Sequence, residues 1–595
     1  MENVEAVSTD IKKDVNEINE RKNKIYNFLF GWVKTPYDKA LILVLVLAFI
    51  LRIWVFTKTY NQAIWWDGAD YMATAKNWAG INHNLIDTWY YRRGVLMPLV
   101  GMIFFKIGFG EIGIRLLIVL LSLGIVLVSY FLISSMFNKQ LGLMVSICVA
   151  GSWVFLFFTG RILTDLPAAF LFLLSILFFW KGYVLKEGDK YLYLFAVCFT
   201  FTVMTRMQSL MFIFPIFIFI FLTEKFKLFT NKKLWICAGI FILIMIPQGV
   251  MHYQHFGNPV ADLAKYYLGV GSSEKQEVGV SLAKVSDLFL YFTNLPYIFD
   301  ANEKGYNNMW VLSPLYFLFL IGFFYLFLDM FLGIDKIFKN TEIRKKFFVF
   351  IFIVIIFLFL GYISQTEQRY VMQSIPFLFL IAVSPIPWFA DLISKNNNGL
   401  IRGGILFLIF GIILYLINML GIIPKIWFII LALCFPIFLL YDLSLKPKTV
   451  KIILIICLVL VMIPNLIFAN NLIESKKTSY MEVKQAGEWL KERTAPEDII
   501  IGGSFIQIVY YSERSTYPFH LGYRRDLPRA NETGMYNFIM EKRPKYYIIS
   551  LYEKDPQWAW EFPEKHKDLL TPVQAYTLNG QPIVIIYQFN YSKLK

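Results

Sequence analysis

The stretch from Ile112 to Met136 reads IGIRLLIVLLSLGIVLVSYFLISSM, and Arg115 is the one charged residue in it. An α-helix needs about 20 mainly apolar residues to cross the hydrocarbon core of a bilayer. Comparable apolar stretches follow one another from about residue 40 to residue 469. The sequence therefore predicts an α-helical protein that crosses a membrane many times.

The overall composition agrees with this interpretation. Hydrophobic residues make up 57% of the 595 positions and charged residues only 17%, against about 25% charged in soluble domains. The net charge of +15 is typical of a membrane protein that keeps Lys and Arg in its cytoplasmic loops. We therefore expect no nucleic-acid partner. The five cysteines all lie in apolar stretches and predict no disulfide framework.

Loop charge predicts the topology. The polar segment 1–38 carries several lysines and arginines and is expected in the cytoplasm. Gly94–Gly108 is apolar but short and contains a proline and a lysine, so we predict a re-entrant or in-plane helix there. About thirteen spans remain, at 39–57, 112–136, 141–158, 166–182, 191–204, 209–223, 234–252, 311–332, 347–363, 371–390, 403–422, 426–442 and 452–469.

These spans divide the chain into three parts. A transmembrane module covers 39–470, with outer loops at 58–111 and 253–310. Because the number of spans is odd, residues 471–595 are expected outside the cytoplasm. Their pattern predicts an α/β domain with a helix at Tyr480–Arg493 and short strands at 499–501, 546–550 and 583–587. We expect a monomeric, multi-pass protein of the plasma membrane, surrounded by membrane lipids.

The predicted outer turns carry an unusual number of ionisable residues. The first loop contains Trp65-Trp66-Asp67-Gly68-Ala69-Asp70-Tyr71. If this segment is helical, Asp67 and Asp70 share one face; the alternative is that Asp67 only caps the helix. Further charges lie in Tyr91-Arg92-Arg93, in Arg161-Ile-Leu-Thr-Asp165-Leu-Pro167, at Arg206 and in Glu367-Gln-Arg369-Tyr370.

Each of these charges has an ordinary explanation when it is taken alone. Arg92 and Arg93 suit lipid headgroups, and Asp165 before Pro167 suits the start of a helix. Taken together, charged groups in four separate turns at one membrane boundary favour a functional site, because such groups are unfavourable there unless paired or used. His252 and His255 have a spacing that can bind zinc, but the sequence offers no third ligand, so we predict no metal.

In order along the chain, these motifs resemble those of the GT-C membrane glycosyltransferases, which use sugars carried on polyprenyl (dolichyl) phosphate. Lipid A aminoarabinose transferases and protein O-mannosyltransferases belong to this group. The motifs that match are Asp67-Gly-Ala-Asp-Tyr71, Arg92-Arg93-Gly-Val-Leu-Met-Pro98, Gly108-Phe-Gly-Glu111 to Arg115-Leu116, Arg161 to Pro167, Phe256-Gly-Asn-Pro259 and Arg369-Tyr370. The chain departs from the family where Asp67-Gly68 replaces Asp-Glu and where Arg93-Gly94-Val95 replaces Lys-Pro-Pro or His-Pro-Pro.

The resemblance implies a GT-C fold and an inverting transfer of a sugar to an acceptor hydroxyl. Asp67 is then the catalytic base, with Asp70 in reserve, and Asp165 either orients the acceptor or supports Asp67. The expected donor-phosphate ligands are Arg92, Arg93, Arg161, Arg206 and Arg369. The expected pocket residues are Trp66, Tyr71, Tyr91, Glu367, Tyr370 and His255. With one acidic residue in the second loop, the resemblance implies metal-independent chemistry and no cofactor.

Chemistry explains why a few residues suffice for this reaction. A polyprenyl phosphate is already a good leaving group, so the acceptor hydroxyl needs a base and the departing phosphate needs cations. The sugar is expected to be mannose or another hexose or pentose. The acceptor is a lipid-linked oligosaccharide, a protein or an envelope lipid. The alternative class is a transporter or flippase of a lipid-linked sugar, which would place charges near the midplane.

Overall fold

The computed structural model describes residues 31–81, 89, 93–259, 287–299, 314–363, 367–395, 447–519 and 531–593. Over these residues the chain forms a bundle of apolar helices up to Lys476, and a small mixed sheet follows. The helices of the bundle are Pro36–Thr59 (α1), Trp66–Ala79 (α2), Leu96–Lys106 (α3), Gly110–Met136 (α4), Lys139–Gly151 (α5), Trp153–Thr159 (α6), Asp165–Phe179 (α7), Asp189–Thr205 (α8), Ile213–Glu224 (α9), Lys232–Phe256 (α10), Leu290–Thr293 (α11), Leu295–Phe299 (α12), Pro314–Leu332 (α13), Thr341–Tyr362 (α14), Ile375–Val383 (α15), Ile386–Lys395 (α16), Pro447–Val461 (α17) and Ile463–Lys476 (α18). A π-helical turn at Trp180–Val184 follows α7, and 3₁₀ turns cover Met207–Phe212, Lys225–Thr230, Ile334–Lys336 and Gln368–Val371.

The predicted multi-pass architecture is confirmed. In the described part of the chain, eight helices are long and apolar enough to cross a membrane, or nine if one bent pair counts as a span. They coincide with predicted spans 1 to 4, 6 to 8, 10 and 13, and α8 and α14 occupy spans 5 and 9. Predicted spans 403–422 and 426–442 lie outside the described residues, as do most of the N-terminal segment and of the loop 253–310. The count of thirteen and the orientation of the termini stay predictions.

The short helix α3 occupies the stretch that we predicted to be re-entrant or in-plane. Its 11 residues correspond to about 16 Å of helix, roughly half the thickness of a bilayer's hydrocarbon core. It packs against α2 of the first loop. The length of α3 therefore agrees with that prediction.

One predicted span is broken in the structure. Between α5 and α6 the helix axis bends by 51° at Ser152, where helical hydrogen bonding stops. The buried Arg52 donates to the carbonyl of Ala150 over 3.2 Å and to Ser122 Oγ over 3.0 Å. Asn465 accepts a bond from the Trp153 amide. Side chains thus satisfy backbone groups that the break releases, and Phe157 of α6 contacts the ring of Trp65 in the first loop.

The C-terminal domain is a mixed five-stranded sheet with the strand order β2-β1-β3-β5-β4. Strand β1 is parallel to β2 and β3, whereas β5 is antiparallel to β3 and β4. Its elements are Met481–Arg493 (α19), Ile499–Gly502 (β1), Phe505–Ser512 (α20), Ser515–Tyr517 (β2), Glu532–Lys542 (α21), Tyr546–Ser550 (β3), Gln557–Lys565 (α22), Leu570–Leu578 (β4) and Gln581–Phe589 (β5), with a last 3₁₀ turn at Tyr591–Lys593.

The predicted α/β character of this domain is confirmed, together with its first helix and three of its strands. The sequence did not predict β2 and β4. Strand β2 has three residues, and β4 lies at the edge of the sheet with mostly exposed side chains. An edge strand without a buried face lacks the alternating pattern from which strands are predicted.

The C-terminal domain is docked on the bundle through α20. Phe505, Ile506 and Val509 of this helix belong to the same buried apolar cluster as the membrane helices. The Tyr510 hydroxyl donates to Glu111, at the start of α4, over 2.9 Å. The domain is thus packed directly against the part of the bundle that carries the charged turns.

Candidate active site

Helix α2 places the two aspartates of the first loop on one face. The helix begins at Trp66, and the residue that occupies the N-cap position is Trp65, whose side chain makes no capping bond. Asp67 lies in the first turn, near the positive end of the helix dipole. The structure therefore excludes the alternative that Asp67 is the helix cap, and it puts Asp67 and Asp70 one turn apart.

Arg93 joins these two carboxylates. Its Nη2 lies 2.8 Å from Asp67 Oδ1, and its Nε lies 2.9 Å from Asp70 Oδ2. The guanidinium also lies over the Tyr71 ring, with its central carbon 5.1 Å from the ring centroid. Of the two adjacent arginines, Arg93 is therefore the one that the structure places at the acidic pair; Arg92 lies outside the described residues.

Two glycines explain why the chain departs from the family pattern. A Cβ at Gly68 would collide with the carbonyl oxygen of Ile162, in the turn before α7. A Cβ at Gly94, and hence a proline, would collide with the carbonyl oxygen of Met204 near the end of α8. The close packing of these backbones leaves no room for the Asp-Glu and Lys-Pro-Pro sequences, and it brings three turns of the bundle together.

Arg369 connects the first loop to the turn before α7. Its Nη2 lies 3.1 Å from Asp67 Oδ2, and its Nη1 lies 3.6 Å from Asp165 Oδ2. Nε of the same guanidinium lies 2.7 Å from the Glu367 carboxylate. The Tyr370 hydroxyl accepts a further bond over 3.1 Å. This arginine, which the sequence offered only as one of several phosphate ligands, is the central cation of the site.

Arg206 completes the arrangement. It forms an ion pair with Asp165, and its guanidinium lies over the Tyr370 ring at 4.5 Å. Alternating charges therefore form a continuous series of side chains from four turns of the bundle. We call this series the ion chain, and its members in order are Asp70, Arg93, Asp67, Arg369, Asp165 and Arg206.

Within the ion chain, Asp67 is the carboxylate most open to solvent. Its side chain is 29% exposed, against 1% for Asp70 and 3% for Asp165. Burial alone would raise the pKa of Asp67, but the charges of Arg93 and Arg369 outweigh it and hold that pKa well below its ordinary value. Asp67 is therefore ionised at neutral pH and accessible to a ligand.

Other predicted residues lie away from the ion chain or outside the described part. Arg161 is buried, lies over the rings of Trp65 and Phe157 and donates to the Phe157 carbonyl. His255 is exposed and contacts the Trp89 ring. Trp66 is the first residue of α2 and is partly buried. Tyr91 is not among the described residues. Their predicted roles in binding phosphate or substrate stay predictions.

Sequence reasoning did not assign a role to Arg115, which the structure places in a buried hydrogen-bond network away from the ion chain. Its buried guanidinium donates to the carbonyls of Thr59, Gln62 and Gly160 and to the Glu111 carboxylate. It thereby ties the end of α1 to the turn between α6 and α7. Glu111 and Arg115 lie four residues apart at the start of an apolar span, and this spacing was the sequence signal that could have indicated such a pairing.

No cation site is evident among the described residues. No three His, Cys, Asp or Glu side chains in that part of the chain lie together in a way that could hold a metal ion. Metal-independent chemistry therefore remains a prediction.

Comparison with known proteins connects this geometry to a class. Residues 93–250 match the family model described as dolichyl-phosphate-mannose-protein mannosyltransferase. This segment contains Arg93, Asp165 and Arg206 of the ion chain. No curated protein sequence matches the chain significantly.

Solved structures share the fold over nearly the whole chain. ArnT from Cupriavidus metallidurans matches with a TM-score of 0.59 and 11% identity, covering 94% of this chain and 98% of that one. The same protein bound to undecaprenyl phosphate gives a TM-score of 0.53 at 12% identity. The oligosaccharyltransferase AglB from Archaeoglobus fulgidus, in complex with an inhibitory peptide and a dolichol-phosphate, gives 0.52 at 14% identity and covers 94% and 75% of the two chains. The chain thus has the GT-C fold predicted from its motifs, and the comparisons support a glycosyltransferase that uses a lipid-phosphate sugar.

Proposed function

We propose that this protein transfers a sugar from a polyprenyl-phosphate carrier to an acceptor hydroxyl, with inversion at the anomeric carbon. The observation that supports this most directly is the ion chain, in which one accessible carboxylate lies between two guanidinium groups. An acceptor hydroxyl needs a base, and a departing phosphate needs cations. Both requirements are met by adjacent residues at the same end of the bundle.

Asp67 is the base in this proposal. The acceptor oxygen forms a bond to the anomeric carbon while the bond from that carbon to the phosphate oxygen breaks. The proton of the acceptor hydroxyl passes to Asp67, and the polyprenyl phosphate leaves with the bonding electrons. Asp70 is nearly inaccessible behind Arg93 and is better placed to orient that arginine. This distribution of roles favours Asp67 over Asp70, a choice that the sequence left open.

Arg93, Arg206 and Arg369 are the proposed phosphate ligands. Guanidinium groups bind phosphate through paired, charge-assisted hydrogen bonds. Each of these guanidinium groups is paired with a carboxylate, so donor binding exchanges a carboxylate contact for a phosphate contact. An exchange at Arg93 or Arg369 leaves Asp67 with fewer cationic partners, so the pKa of Asp67 is higher and it accepts a proton more readily once the donor is bound.

The sugar and acceptor are proposed from the similar proteins. The matching family model is that of mannosyltransferases acting on protein, so mannose is the first donor sugar to test. The panel of donors should also contain another hexose and a pentose. The panel of acceptors should contain a peptide with Ser and Thr, a lipid-linked oligosaccharide and an envelope lipid. We propose that the site faces the extracytoplasmic side, where the sequence predicts the charged turns.

A transfer assay in nanodiscs tests the proposal. Wild-type protein with labelled polyprenyl-phosphate mannose should release polyprenyl phosphate and form a glycosylated acceptor with inverted anomeric configuration. The variant Asp67→Asn, prepared in the same way, excludes a contaminating enzyme. If the purified protein instead moves the intact lipid across vesicles and forms no product with any donor or acceptor, it is a flippase and the proposal is wrong.

A further inference from the structure

The C-terminal domain holds the peptide that immediately precedes the acidic turn. The Ile64 amide donates to the Tyr511 hydroxyl over 2.7 Å, and Gln507 Nε2 donates to the Ile64 carbonyl over 2.8 Å. All three residues are almost completely buried, with exposures of 2% for Ile64, 7% for Tyr511 and 1% for Gln507. Both backbone groups of one residue of the first loop are therefore satisfied by α20.

These bonds matter because the start of α2 has little local support. A helix N-terminus has four amides without helical partners, and a polar side chain at the N-cap usually satisfies one of them. Here the N-cap residue is Trp65, and its side chain makes no capping bond. The direction in which the chain enters α2, and hence the position of Asp67 in its first turn, depends on how Ile64 is held.

The other end of α2 is held by the same domain. Lys76 Nζ donates to the Tyr510 carbonyl over 2.9 Å and lies 2.8 Å from Glu513 Oε1. Helix α2 is thus fixed at both ends by α20 and the residue that follows it. The two contacts at Ile64 are the ones closest to the acidic turn.

We propose that Tyr511 and Gln507 are positioning residues for Asp67, so that the C-terminal domain is a structural part of the catalytic unit. This inference rests on the proposed function, since it assumes that Asp67 acts as a base. Of the three proposed phosphate ligands, Arg206 and Arg369 belong to other turns, and Arg93 follows α2 in the chain and bonds to Asp67 and Asp70 rather than to Ile64. Loosening Ile64 should therefore disturb the catalytic step and leave donor binding intact.

The neighbouring tyrosines provide a matched comparison. Tyr511→Phe removes only the hydroxyl that accepts from Ile64. Tyr510→Phe removes an equally buried hydroxyl from the same helix, but that hydroxyl bonds to Glu111 and not to the acidic loop. We expect Tyr511→Phe to lower kcat about tenfold, because a displacement of about 1 Å in a reacting group can cost up to about 100-fold. The KM for the donor should stay the same, and Tyr510→Phe should retain the wild-type kcat.

A second variant, and the same variant in protein that already carries Asp67→Asn, distinguish a positioning role from a general loss of stability. Gln507→Ala removes the other bond to Ile64 and should reduce kcat in the same way. In an Asp67→Asn background, Tyr511→Phe should leave the residual rate unchanged, because two residues that act through one group are not additive. A purely structural role would lower the rate in both backgrounds and would lower the thermal stability of Tyr510→Phe and Tyr511→Phe alike.

The outcomes can be told apart from failure of the proposed function. If wild-type protein transfers no sugar, the proposed function is wrong and this inference is wrong with it. If the wild type is active and Tyr511→Phe and Gln507→Ala keep its kcat, only the positioning role is overturned. An equal fall in kcat for Tyr510→Phe and Tyr511→Phe would also overturn it, because the first variant leaves both bonds to Ile64 in place.

Discussion

Asp38 lies in the first turn of α1 and Asp67 lies in the first turn of α2, and each carboxylate is ion-paired. Asp38 is 1% exposed. It accepts bonds from Thr35 Oγ1 at 2.7 Å, from the Tyr130 hydroxyl at 2.6 Å and from Lys139 Nζ at 2.7 Å. Asp67 is 29% exposed and is paired with Arg93 of the same loop and with Arg369 of another turn.

The difference lies in what the partners can do. Asp38 belongs to a capping box with Thr35 at the start of α1, and two of its three side-chain partners are neutral hydroxyls. Such bonds fix a helix end and have no reason to open. The partners of Asp67 are guanidiniums, which bind phosphate as well as they bind carboxylate. A paired carboxylate therefore indicates a functional site when its partners are groups that a substrate can take over.

The largest expected effect is the loss of kcat in Asp67→Asn, which should distinguish Asp67 from Asp38. Asp67→Asn keeps the size of the side chain but removes its ability to accept a proton, so kcat should fall by about 10²–10⁴-fold, the usual contribution of a general base. Transfer of labelled sugar under saturating donor measures this. Polyprenyl phosphate without a sugar has no anomeric carbon to react. Its binding to Asp67→Asn should persist because Arg206 and Arg369 remain.

Folding has to be measured on the same sample. The thermal inactivation midpoint of Asp67→Asn should stay close to that of the wild type, because the partly exposed asparagine keeps an oxygen that accepts hydrogen bonds from Arg93 or Arg369. An Asp67→Asn protein with full transfer activity would remove Asp67 from the mechanism and leave Asp70 as the candidate.

The converse variant, Asp38→Asn, should lower the free energy of unfolding and leave the rate of sugar transfer unchanged. It keeps some hydrogen bonds to Thr35 and Tyr130 but leaves Lys139 without its anionic partner. We expect a loss of about 1–3 kcal/mol, the range for disrupting a buried bonded group, with an unchanged kcat for the folded fraction. Thermal unfolding in detergent, followed by the transfer assay on the same preparation, measures both quantities. A large fall in kcat for fully folded Asp38→Asn protein would show that Asp38, like Asp67, contributes to catalysis.

The sequence predicted those parts of the molecule that are determined locally. Apolar length predicted most membrane helices and alternation predicted three strands. The resemblance of the motifs to a known family indicated Asp67, Asp165, Arg369 and either Arg92 or Arg93. These signals need only neighbouring residues, because hydrophobic stretches and short motifs are properties of a continuous segment.

The connections between these parts could not be predicted. Arg369 bridges Asp67 and Asp165 from a turn that is 302 residues from Asp67 in sequence, and Gln507 reaches Ile64 across 443 positions. Such contacts depend on how closely the turns pack, which Gly68 and Gly94 permit by lacking a Cβ. A single sequence shows that these glycines are present but not which backbone lies against them, so it could not identify the partner of each charge.

The smallest expected effect concerns pH and tests whether Arg369 controls the proton affinity of Asp67. Arg93 and Arg369 hold the pKa of Asp67 below its ordinary value, which is about 4, so the free wild-type enzyme should keep Asp67 ionised throughout pH 5–8. Arg369→Gln removes one of the two cations, and the burial that raises this pKa is then opposed only by Arg93. The pKa of Asp67 should rise, and the acid limb of kcat/KM, which reports the free enzyme and lies below pH 5 in the wild type, should move to higher pH. The absolute rate will also fall because a phosphate ligand is lost, so the profiles must be compared after each is scaled to its own maximum.

Lys346→Gln, which removes an ion pair with Asp329 at the end of α13, serves as a control and should keep the wild-type profile. Superimposable scaled profiles for wild type and Arg369→Gln would mean that Arg369 does not set the pKa of Asp67, and that the pairing of these two residues resembles the structural pairing of Asp38 more than we propose.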